Sequence, residues 1–449
     1  MAAADGAPGW IVRPSRRVTG DFTVPGDKSI SHRALMLGGI ARGSTRIRGF
    51  LSGEDCLATL RALAALGVTV RQSAPSDVEV EGRGVAALHA AAAALDMGNA
   101  GTAMRLFMGL LSARPFDSTL VGDASLMRRP MERAAAPLRQ MGARIDTQDG
   151  RPPVRIHGGA ELKAIDYALP VASAQVKSAL LLAALDASGT TRVTEPAPTR
   201  DHTERMLRAF GVVVGCDGPR VSIEGGQSLT ATQIDVPADF SSAAFFMVAG
   251  LLGQGNGLTI RNVGVNPTRT GLLEILRAMG GELRVLNPKV LGGEPVADIE
   301  VLPGELRGIT VEQRWVPLAI DEMPVFFIAA ACARGESLLR GARELRVKES
   351  DRLAGMSAGL AALGVEHELL DDGMRIVGRP AADGAFSGGT VDSHGDHRVA
   401  MSFAIASLRA SAPIRVQDVA NVATSFPGFA SLARSIGLDL QEHASGALS

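Results

Sequence analysis

A segment near the N-terminus, TVPGDKSISHRALML (residues 23–37), combines a turn, a lysine and the start of an apolar helix. The Pro-Gly pair predicts a turn after a strand, which places Lys28, Ser29 and Arg33 near the first turn of the helix. Ser29 and Arg33 are four residues apart and share one helix face. Free backbone N–H groups and the helix dipole favour an anion at such an end. We therefore expect an anion site here, with an ordinary capped helix as the alternative.

Two further stretches in the first half of the chain offer backbone donors and cations. In LDMGNAGTAMRL, small residues around Gly101 precede a helix and would let a ligand approach the main chain closely, although a simple turn fits equally well. In LMRRPMERAAAPL, Arg128 and Arg129 precede Pro130 at a helix start. Adjacent residues point to different faces, so we expect at most one of these arginines to serve a site. A solvated surface pair is the alternative.

The segment VASAQVKSALLLAAL (171–185) is strongly apolar but is interrupted by Ser173, Gln175 and Lys177. Polar groups that enter an otherwise buried helix need partners. A bound ligand would supply them, and so would a capping network.

The next polar group, in TRDHTERML, stands just before another predicted helix. It contains Arg200, Asp201 and His202, and Arg200 adds a cation to this half of the chain. The alternative is a structural role in which Asp201 or Thr203 caps the helix.

Two carboxylates stand between apolar segments in LAIDEMPVFFIAAACA, where Asp321 and Glu322 precede Pro324. The position is a strand end or a helix start, so a carboxylate here could be only an N-cap. It could also be a general base, which would need a tuned pKa in a partly desolvated site.

The segment ELRVKESDRLAGM places Lys348 and Arg352 four residues apart on a predicted helix. Like charges at that spacing destabilise an isolated helix by about 0.2–0.5 kcal/mol, and a bound anion would reverse the sign of the effect. Glu349 and Asp351 adjoin the two cations, so a self-neutralised surface helix is the alternative.

The segment VDSHGDHRVAMSFAIA concentrates polar residues just before an apolar helix. A metal site from His394, Asp396 and His397 is conceivable, but zinc needs three or four convergent ligands and the neighbouring Arg398 would repel a cation. We expect an anion-binding or proton-transfer role and no metal.

The elements that must position these residues repeat along the chain. Six phrases join a leucine-rich helix to a strand-like run through a glycine, and these glycines are 69 to 84 residues apart. Leucines at i, i+3 and i+4 predict amphipathic helices, each ended by a glycine in left-handed geometry. This spacing predicts one small α/β subdomain per copy, and six copies predict two domains of three. The six glycines are Gly67, Gly142, Gly211, Gly280, Gly364 and Gly437.

The domain junction is predicted near IDVPADFSSAAFF, where a Pro and Asp cluster follows the third copy and an apolar helix begins at about Ser241. A matching VPGD begins at Val24. We therefore expect a discontinuous first domain (1–23 and 238–449) and a second domain (24–237), with the active site in the cleft between them.

Composition excludes several classes of protein. The 449 residues carry a formal net charge of −1, which argues against a nucleic-acid surface, and the longest apolar runs are too short for a membrane span. Three widely spaced cysteines cannot make a disulfide framework, which favours a reducing cytosol, and the first residues lack a secretion signal. Only five of the 46 basic residues are lysines, so each lysine is informative.

The cations at the motifs come from both halves of a neutral chain, and together they would suit a small substrate that bears phosphates and carboxylates. No GxGxxG nucleotide fingerprint follows a strand. These cations are Lys28, Arg33, Arg129, Arg200, Lys348, Arg352 and Arg398.

Taken in order, PGDKSISHR, GNAGTAMR, RRP, SAQVKS, the Asp321–Glu322 segment, RVKESDR and DHRVAM resemble the 5-enolpyruvylshikimate-3-phosphate synthase (EPSP synthase) family along essentially the whole chain. Each phrase is short, but their common order is highly specific. The resemblance implies an α/β fold of two inside-out barrel domains, the enolpyruvyl transferase fold, with three βαβαββ units in each domain. The sixfold repeat fits this fold independently.

The resemblance also implies a reaction, a step of the shikimate pathway of aromatic amino acid biosynthesis. The enolpyruvyl group of phosphoenolpyruvate would move to the 5-hydroxyl of shikimate 3-phosphate through a tetrahedral intermediate, with release of phosphate. Asp321 would be the base, with Glu349 and Lys28 as proton-transfer partners. Shikimate 3-phosphate would be held by Lys28, Ser29, Arg33, Ser173, Ala174, Gln175, Arg200, Asp321 and Lys348. Phosphoenolpyruvate would be held by Lys28, Gly101, Arg129, Gln175, Arg352 and Arg398.

The sequence departs from the family pattern in places. Many members carry a lysine near a late TFP-like segment, where this chain has Thr424 and Ser425 in ATSFPGF. His32 in place of Asn, and Arg200-Asp201 in place of Tyr, resemble the divergent bacterial class II subgroup known for glyphosate tolerance. That tolerance is associated with alanine at the position of Gly101, so we expect this chain to be inhibited by glyphosate.

Two other functions stay open at this point. UDP-N-acetylglucosamine enolpyruvyl transferase shares the fold and the donor but usually uses a loop cysteine, and Cys56 lies in a poor context for that role. A non-catalytic binding protein for anionic metabolites is the other. We expect a cytoplasmic monomer that uses no cofactor and no metal and binds neither nucleic acid nor membrane.

Overall fold

The structure is a computed structural model that describes residues 8–380 and 384–443. The chain forms two compact units. The first contains the residues up to Pro25, Ala238–Lys289 and those from Pro295 onward, and the second contains Gly26–Pro237 and Val290–Glu294. The sequence-based division differs in two places: it puts Val24 and Pro25 in the second domain, and it leaves 290–294, the tip of a hairpin, with the first domain.

The strands are short and spread along the whole described chain. In chain order they are β1 Gly9–Arg13, β2 Arg17–Phe22, β3 Arg42–Arg48, β4 Thr69–Ala74, β5 Asp77–Arg83, β6 Leu95–Asp96, β7 Ser118–Val121, β8 Arg144–Gln148, β9 Arg151–His157, β10 Asp166–Ala168, β11 Thr190–Thr194, β12 Val214–Asp217, β13 Arg220–Glu224, β14 Gln233–Asp235, β15 Gln254–Gly264, β16 Glu282–Leu291, β17 Glu294–Leu302, β18 Gly335–Leu339, β19 His367–Leu370, β20 Gly373–Gly378, β21 Gly389–Asp392, β22 Ile414–Gln417 and β23 Asp439–His443.

The α-helices alternate with the strands. They are α1 Lys28–Ile40, α2 Glu54–Ala65, α3 Gly101–Leu111, α4 Glu132–Gln140, α5 Ala174–Ala184, α6 His202–Ala209, α7 Phe240–Leu252, α8 Gly271–Ala278, α9 Val316–Ala319, α10 Met323–Ala331, α11 Arg352–Ala362, α12 His397–Ala406, α13 Val422–Ser425 and α14 Phe429–Ser435. Short 3₁₀ turns span Val85–Ala87, Leu126–Arg128, Gln313–Trp315, Arg343–Val347 and Ser407–Arg409.

Each unit contains three small sheets with one recurring pattern. In the second unit the sheets are β14-β3-β5-β4, β6-β7-β9-β8 and β10-β11-β13-β12, and in each the first two strands are parallel and the other neighbours antiparallel. The first unit has β21-β22-β1-β23, β16-β17-β15-β2 and β18-β20-β19. Beside β18, the isolated parallel bridge Thr310–Leu338 stands where the other sheets have a fourth strand. The prediction of six α/β subdomains in two groups of three is confirmed.

The repeated glycine phrase occupies one structural position in all six subdomains. Each glycine follows a helix (α2, α4, α6, α8, α11 or α14), and the next strand is β4, β8, β12, β16, β19 or β23 respectively. The φ angles of the six glycines lie between +75° and +113°. Only glycine adopts this left-handed geometry without a Cβ penalty, which explains why the residue recurs.

The helices at the centre of each unit are apolar on all sides, and the sheets cover them. Every residue of α7, α10 and α12 in the first unit is buried, and in the second unit α1, α3 and α5 are buried except near their first turns. A helix that is apolar all round belongs in a core. Five of the motifs therefore stand at the N-terminal ends of central helices, where the first backbone N–H groups have no partner within the helix. They are PGDKSISHR at α1, GNAGTAMR at α3, SAQVKS at α5, the Asp321–Glu322 segment at α10 and DHRVAM at α12.

Within the described residues, the helices all fall short of the length and apolar character that a bilayer crossing requires. The three cysteines, Cys56, Cys216 and Cys332, are free thiols.

Candidate active site

The second unit presents Lys28 and Ser29 at the start of α1. Asp27 caps this helix, its Oδ1 accepting from Ile30 N at 2.8 Å. The Lys28 ammonium lies 2.9 Å from Asp55 Oδ2, and the lysine side chain is 17% exposed. Ser29 and Arg33 share one helix face as predicted, because the Ser29 carbonyl accepts from Arg33 Nη1 at 2.9 Å.

Arg33 is buried and donates to neutral oxygens. Nε donates to Thr203 Oγ1 at 2.6 Å and Nη2 to Ser178 Oγ at 2.8 Å. Burial lowers the pKa of Arg33 to about 10, and while Glu204 counteracts this shift, Arg200 lowers the pKa further. Arg33 is therefore charged at neutral pH and is repelled by Arg200. An anion between these two guanidinium groups would relieve the repulsion.

The start of α5 carries the polar residues of SAQVKS. Ser173 is the N-cap, its Oγ accepting from Val176 N at 3.4 Å, and Ala174 is the first helical residue. Gln175 Nε2 donates to Thr102 Oγ1 at 2.8 Å, and Gln175 Oε1 accepts from Arg105 Nη1 at 2.6 Å. Gln175 therefore ties the first turn of α5 to α3.

Gly101 and Arg129 lie together at the start of α3. A Cβ built on Gly101 would be 3.1 Å from Arg129 Nη1 and 3.2 Å from Arg105 Nη1. Arg129 is buried and donates through Nη1 to the Asn99 carbonyl at 3.2 Å, whereas Arg128 is exposed. The two adjacent arginines therefore differ in their surroundings, Arg129 being buried beside Gly101 and Arg128 facing solvent. The helix after Pro130 starts later than predicted, at Glu132.

The polar group before α6 does not cap that helix. Among the described residues, no side-chain hydrogen bond caps α6. Asp201 Oδ2 instead accepts from Arg205 Nε at 2.8 Å, and the Thr203 hydroxyl serves Arg33. The capping alternative is therefore wrong for this segment.

In the first unit, Asp321 lies between two cations. Its Oδ1 is 3.3 Å from both Lys348 Nζ and Arg352 Nη1, and its backbone carbonyl accepts from Arg398 Nη1 at 2.8 Å. The described structure shows no side-chain cap for α10 at Glu322, so the N-cap alternative is wrong here as well.

Lys348 and Arg352 do not share a helix, so the expected i,i+4 repulsion is absent from α11. This helix begins at Arg352, and Lys348 follows a 3₁₀ turn in an extended conformation. The prediction was wrong because Asp351 caps α11, its Oδ1 accepting from Ala354 N at 3.0 Å, which sets the helix start after Lys348. The two cations nevertheless meet an anion, since both contact the Asp321 carboxylate.

Arg352 is 1% exposed and is surrounded by carboxylates. Nε donates to Asp396 Oδ2 at 2.8 Å, and Nη2 donates to Glu349 Oε2 at 2.5 Å. Burial opposes the charge of Arg352, but Asp396, Glu349 and Asp321 outweigh it and raise the pKa. The alternative of a self-neutralised surface helix is wrong, because this network is buried.

Asp396 and Arg398 complete this group at the start of α12. Asp396 Oδ1 caps the helix by accepting from Arg398 N at 2.9 Å. The Arg398 guanidinium also lies 3.6 Å from Glu322 Oε1. His394 is exposed and pairs with Asp392, and within the described residues no group of His, Cys, Asp and Glu is arranged to hold a metal ion.

Two contributing residues were missed by sequence reasoning. Arg105 is an arginine in the otherwise apolar helix GTAMRLFMGLL, a signal that could have identified it. Asp55, the partner of Lys28, is buried, but the sequence does not distinguish it from the neighbouring Glu54. Cys56 is fully buried, which does not suit a loop nucleophile.

Comparison with known proteins assigns the chain to a family. The profile described as EPSP synthase (3-phosphoshikimate 1-carboxyvinyltransferase) matches residues 12–432. A 3-phosphoshikimate 1-carboxyvinyltransferase of Methylococcus capsulatus is 58% identical over 429 residues, covering 95% of this chain and 97% of the relative. One of Halorhodospira halophila is 57% identical over 433 residues, with 96% and 97% covered.

Solved structures give the same result. The structure of EPSP synthase from Acinetobacter baumannii superposes with a TM-score of 0.87 at 52% identity, covering 97% of this chain and 100% of that chain. The enolpyruvyl transferase NikO from Streptomyces tendae superposes with a TM-score of 0.78 at 18% identity, covering 98% and 99%, and so shares the fold. The chain therefore has the enolpyruvyl transferase fold and belongs to the EPSP synthase family.

Proposed function

We propose that the protein transfers the enolpyruvyl group of phosphoenolpyruvate to the 5-hydroxyl of shikimate 3-phosphate, giving EPSP and phosphate. The observation that carries this proposal is the Asp321 carboxylate held between Lys348 and Arg352, in a chain of the EPSP synthase family. A carboxylate held in place by two cations can act as a general base toward a hydroxyl group bound beside it.

Shikimate 3-phosphate is bound through its phosphate and its hydroxyl groups. Arg33 and Arg200 are close enough to influence each other electrostatically, which favours a phosphate dianion as their shared ligand. The start of α5 adds free backbone N–H groups, and Asp321 and Lys348 engage the 5-hydroxyl. The complete proposed set is Lys28, Ser29, Arg33, Ser173, Ala174, Gln175, Arg200, Asp321 and Lys348.

Phosphoenolpyruvate carries a carboxylate and a phosphate and is proposed to need a second group of cations. Arg129 lies next to Gly101, whose missing side chain leaves room for a ligand near the backbone. Arg352 and Arg398 are both in contact with Asp321, the proposed base. The proposed set is Lys28, Gly101, Arg129, Gln175, Arg352 and Arg398.

The proposed chemistry proceeds by addition and elimination. Asp321 takes the proton of the 5-hydroxyl as this oxygen attacks C2 of phosphoenolpyruvate, and Glu349 or Lys28 delivers a proton to the methylene carbon. The resulting tetrahedral intermediate has a methyl group. The group that delivered the proton, Glu349 or Lys28, then takes one proton from the methyl group as the bond between C2 and the phosphate oxygen breaks, which expels phosphate and restores the double bond. Cations around the charged oxygens stabilise both steps.

Phosphate release from phosphoenolpyruvate, measured with purified protein, tests this function. We expect release with shikimate 3-phosphate and none above background without an acceptor or with UDP-N-acetylglucosamine. Release that needs no acceptor, or that needs the nucleotide sugar, would overturn the proposal. Binding of both substrates without turnover would support a metabolite-binding protein instead.

We also propose that glyphosate inhibits the enzyme. A separate proposal is that the enzyme is a monomer and acts in the cytoplasm. The hydrogen atom of Gly101 leaves space beside Arg129 that a methyl group would fill. Equal, weak inhibition of the wild type and of Gly101→Ala would contradict the inhibitor proposal. Light scattering on the purified protein tests the monomer proposal. A measured molar mass greater than that of one chain would contradict this proposal.

A further inference from the structure

Lys177 is a buried charge that the proposed reaction does not use. It lies one turn into α5, and its side chain is 1% exposed. Its Nζ is 2.8 Å from Glu195 Oε2 and 2.7 Å from Glu204 Oε1, and both of these carboxylates are also buried. Removing two acids and a base from water costs several kcal/mol per ion before pairing. Because burying these three charges is unfavourable, we looked for a function of the network.

The network holds the segment that carries Arg200. This segment, 195–200, contains two prolines and has neither helix nor strand structure. Glu195 stands at its start, and the second oxygen of Glu195 accepts from the Thr199 hydroxyl, directly before Arg200. The ammonium of Lys177 therefore fixes both ends of the segment to α5 through one carboxylate.

The same network acts on the charge around Arg33. Glu204 follows Thr203, whose hydroxyl accepts a hydrogen bond from Arg33 Nε. The negative charge of Glu204 raises the pKa of Arg33. Glu204 Oε2 is buried and has no hydrogen-bond partner among the described residues. Two buried carboxylates this close to a phosphate site would repel a dianion if no cation compensated them. Lys177 is that cation, because Glu204 and Glu195 outweigh its burial and raise its pKa.

We propose that Lys177 is a positioning residue for the phosphate end of shikimate 3-phosphate: it anchors the segment that carries Arg200 and compensates Glu195 and Glu204. In this proposal Arg33 and Arg200 are held in position to bind the phosphate, and the charges of Glu195 and Glu204 do not cancel their attraction for it. This inference rests on the proposed function and deepens it, since it concerns recognition of the phosphate of one substrate.

Calorimetric titration of the full-length protein tests the inference with three variants: Lys177→Met, Glu204→Gln and their combination. We expect Lys177→Met to raise the Kd of shikimate 3-phosphate by about tenfold or more. The affinity for shikimate, which lacks the phosphate, and the KM of phosphoenolpyruvate should change by less than about twofold. Lys163→Met, which removes an exposed lysine of the same unit, is the matched control and should leave all three values unchanged.

The combined variant restores the charge balance without restoring the ammonium. We expect it to recover part of the lost affinity for shikimate 3-phosphate, because the excess carboxylate charge is gone. Glu204→Gln alone should bind shikimate 3-phosphate about threefold more tightly, and this arm remains informative if Lys177→Met does not fold.

Two results would overturn the inference: an unchanged Kd of shikimate 3-phosphate in Lys177→Met, or an equal loss of affinity for shikimate 3-phosphate and shikimate. If Lys177→Met does not fold, unchanged or weaker binding by Glu204→Gln would overturn it too. Failure of the proposed function is distinguishable, because the wild type would then release no phosphate in the presence of shikimate 3-phosphate.

Discussion

Arg33 in the second unit and Arg352 in the first unit are both buried arginines in the first two turns of a helix, but their surroundings are opposite. Arg33 donates to the hydroxyls of Thr203 and Ser178 and to a carbonyl. Arg352 donates to Asp321, Glu349 and Asp396. Burial therefore lowers the pKa of Arg33 to about 10, whereas the carboxylates raise that of Arg352.

We propose that the two environments suit two different roles, binding of a substrate phosphate by Arg33 and proton transfer by the carboxylates around Arg352. Arg33 donates its hydrogen bonds to neutral groups, while Glu204, Asp27 and Glu294 raise its pKa through space, so it favours a further anion supplied by a ligand.

A buried arginine with three carboxylates is already compensated, because these carboxylates outweigh its burial and raise its pKa. We propose that Arg33 and its neighbours mainly hold the phosphate of shikimate 3-phosphate, while Asp321, with Glu349 or Lys28, exchanges protons with the substrates.

The largest effect should come from Asp321→Asn, which keeps the shape of the side chain but removes the proposed base. We expect kcat to fall by about 10³-fold, within the range for loss of a general base, while the Kd of shikimate 3-phosphate changes by less than about tenfold. Phosphate release and calorimetric titration measure the two quantities. Asp439→Asn, which alters an exposed carboxylate, is the control. A loss of affinity as large as the loss of turnover would assign Asp321 to binding alone.

Replacing Arg352 should lower the free energy of unfolding more than replacing Arg33. Arg352→Met leaves buried carboxylates without a counter-ion, and we expect it to lower the free energy of unfolding by about 3–5 kcal/mol. Arg33→Met loses hydrogen bonds to neutral groups, for which we expect about 1–3 kcal/mol. Urea unfolding compares them, with the exposed Arg46→Met as a control whose free energy of unfolding should stay close to that of the wild type. Equal losses for the two buried arginines would remove the distinction between the two environments.

Acid should destabilise the second unit through His32. Burial, with Lys28 and Arg33, lowers the pKa of His32 from 6.5 to about 3. Below pH 6.5 the unfolded chain takes up a proton that the folded chain refuses, so stability is complete above pH 6.5 and is lost progressively toward pH 3. Between pH 7 and pH 5 this loss is about 2 kcal/mol.

Unfolding free energies at these two pH values, for the wild type and for His32→Asn, test this prediction. The variant should have the smaller difference, and His89→Asn, at an exposed position, should match the wild type. Equal pH dependence in all three proteins would contradict the prediction.

The smallest effect is expected from Gly101→Ala. The new methyl group would stand 3.1 Å and 3.2 Å from the ends of two flexible arginine side chains, so the neighbours can shift. We expect the KM of phosphoenolpyruvate to rise severalfold and glyphosate to inhibit less strongly, with the Kd of shikimate 3-phosphate unchanged. A change confined to shikimate 3-phosphate would place Gly101 elsewhere in the site.

The sequence predicted the features that depend on local chemistry. The six glycines end helices because left-handed backbone favours glycine, and several motifs begin central helices because capping and apolar patterning are both local signals. The pairing of charges was not predictable in this way. Lys177 lies 18 residues from Glu195, Arg105 lies 70 from Gln175, and both contacts depend on tertiary packing. Lys348 and Arg352 were misplaced on one helix because a single cap, Asp351, decides where α11 begins.

Incorporation of solvent deuterium into phosphoenolpyruvate tests the proposal that Asp321 and Glu349 take part in proton transfer. Phosphoenolpyruvate is incubated with enzyme in D₂O, and deuterium in its methylene group is measured by mass spectrometry. We predict incorporation by the wild type only when shikimate 3-phosphate is present, and its loss in Glu349→Gln and Asp321→Asn variants that still bind shikimate 3-phosphate. Undiminished incorporation by both variants would contradict the account.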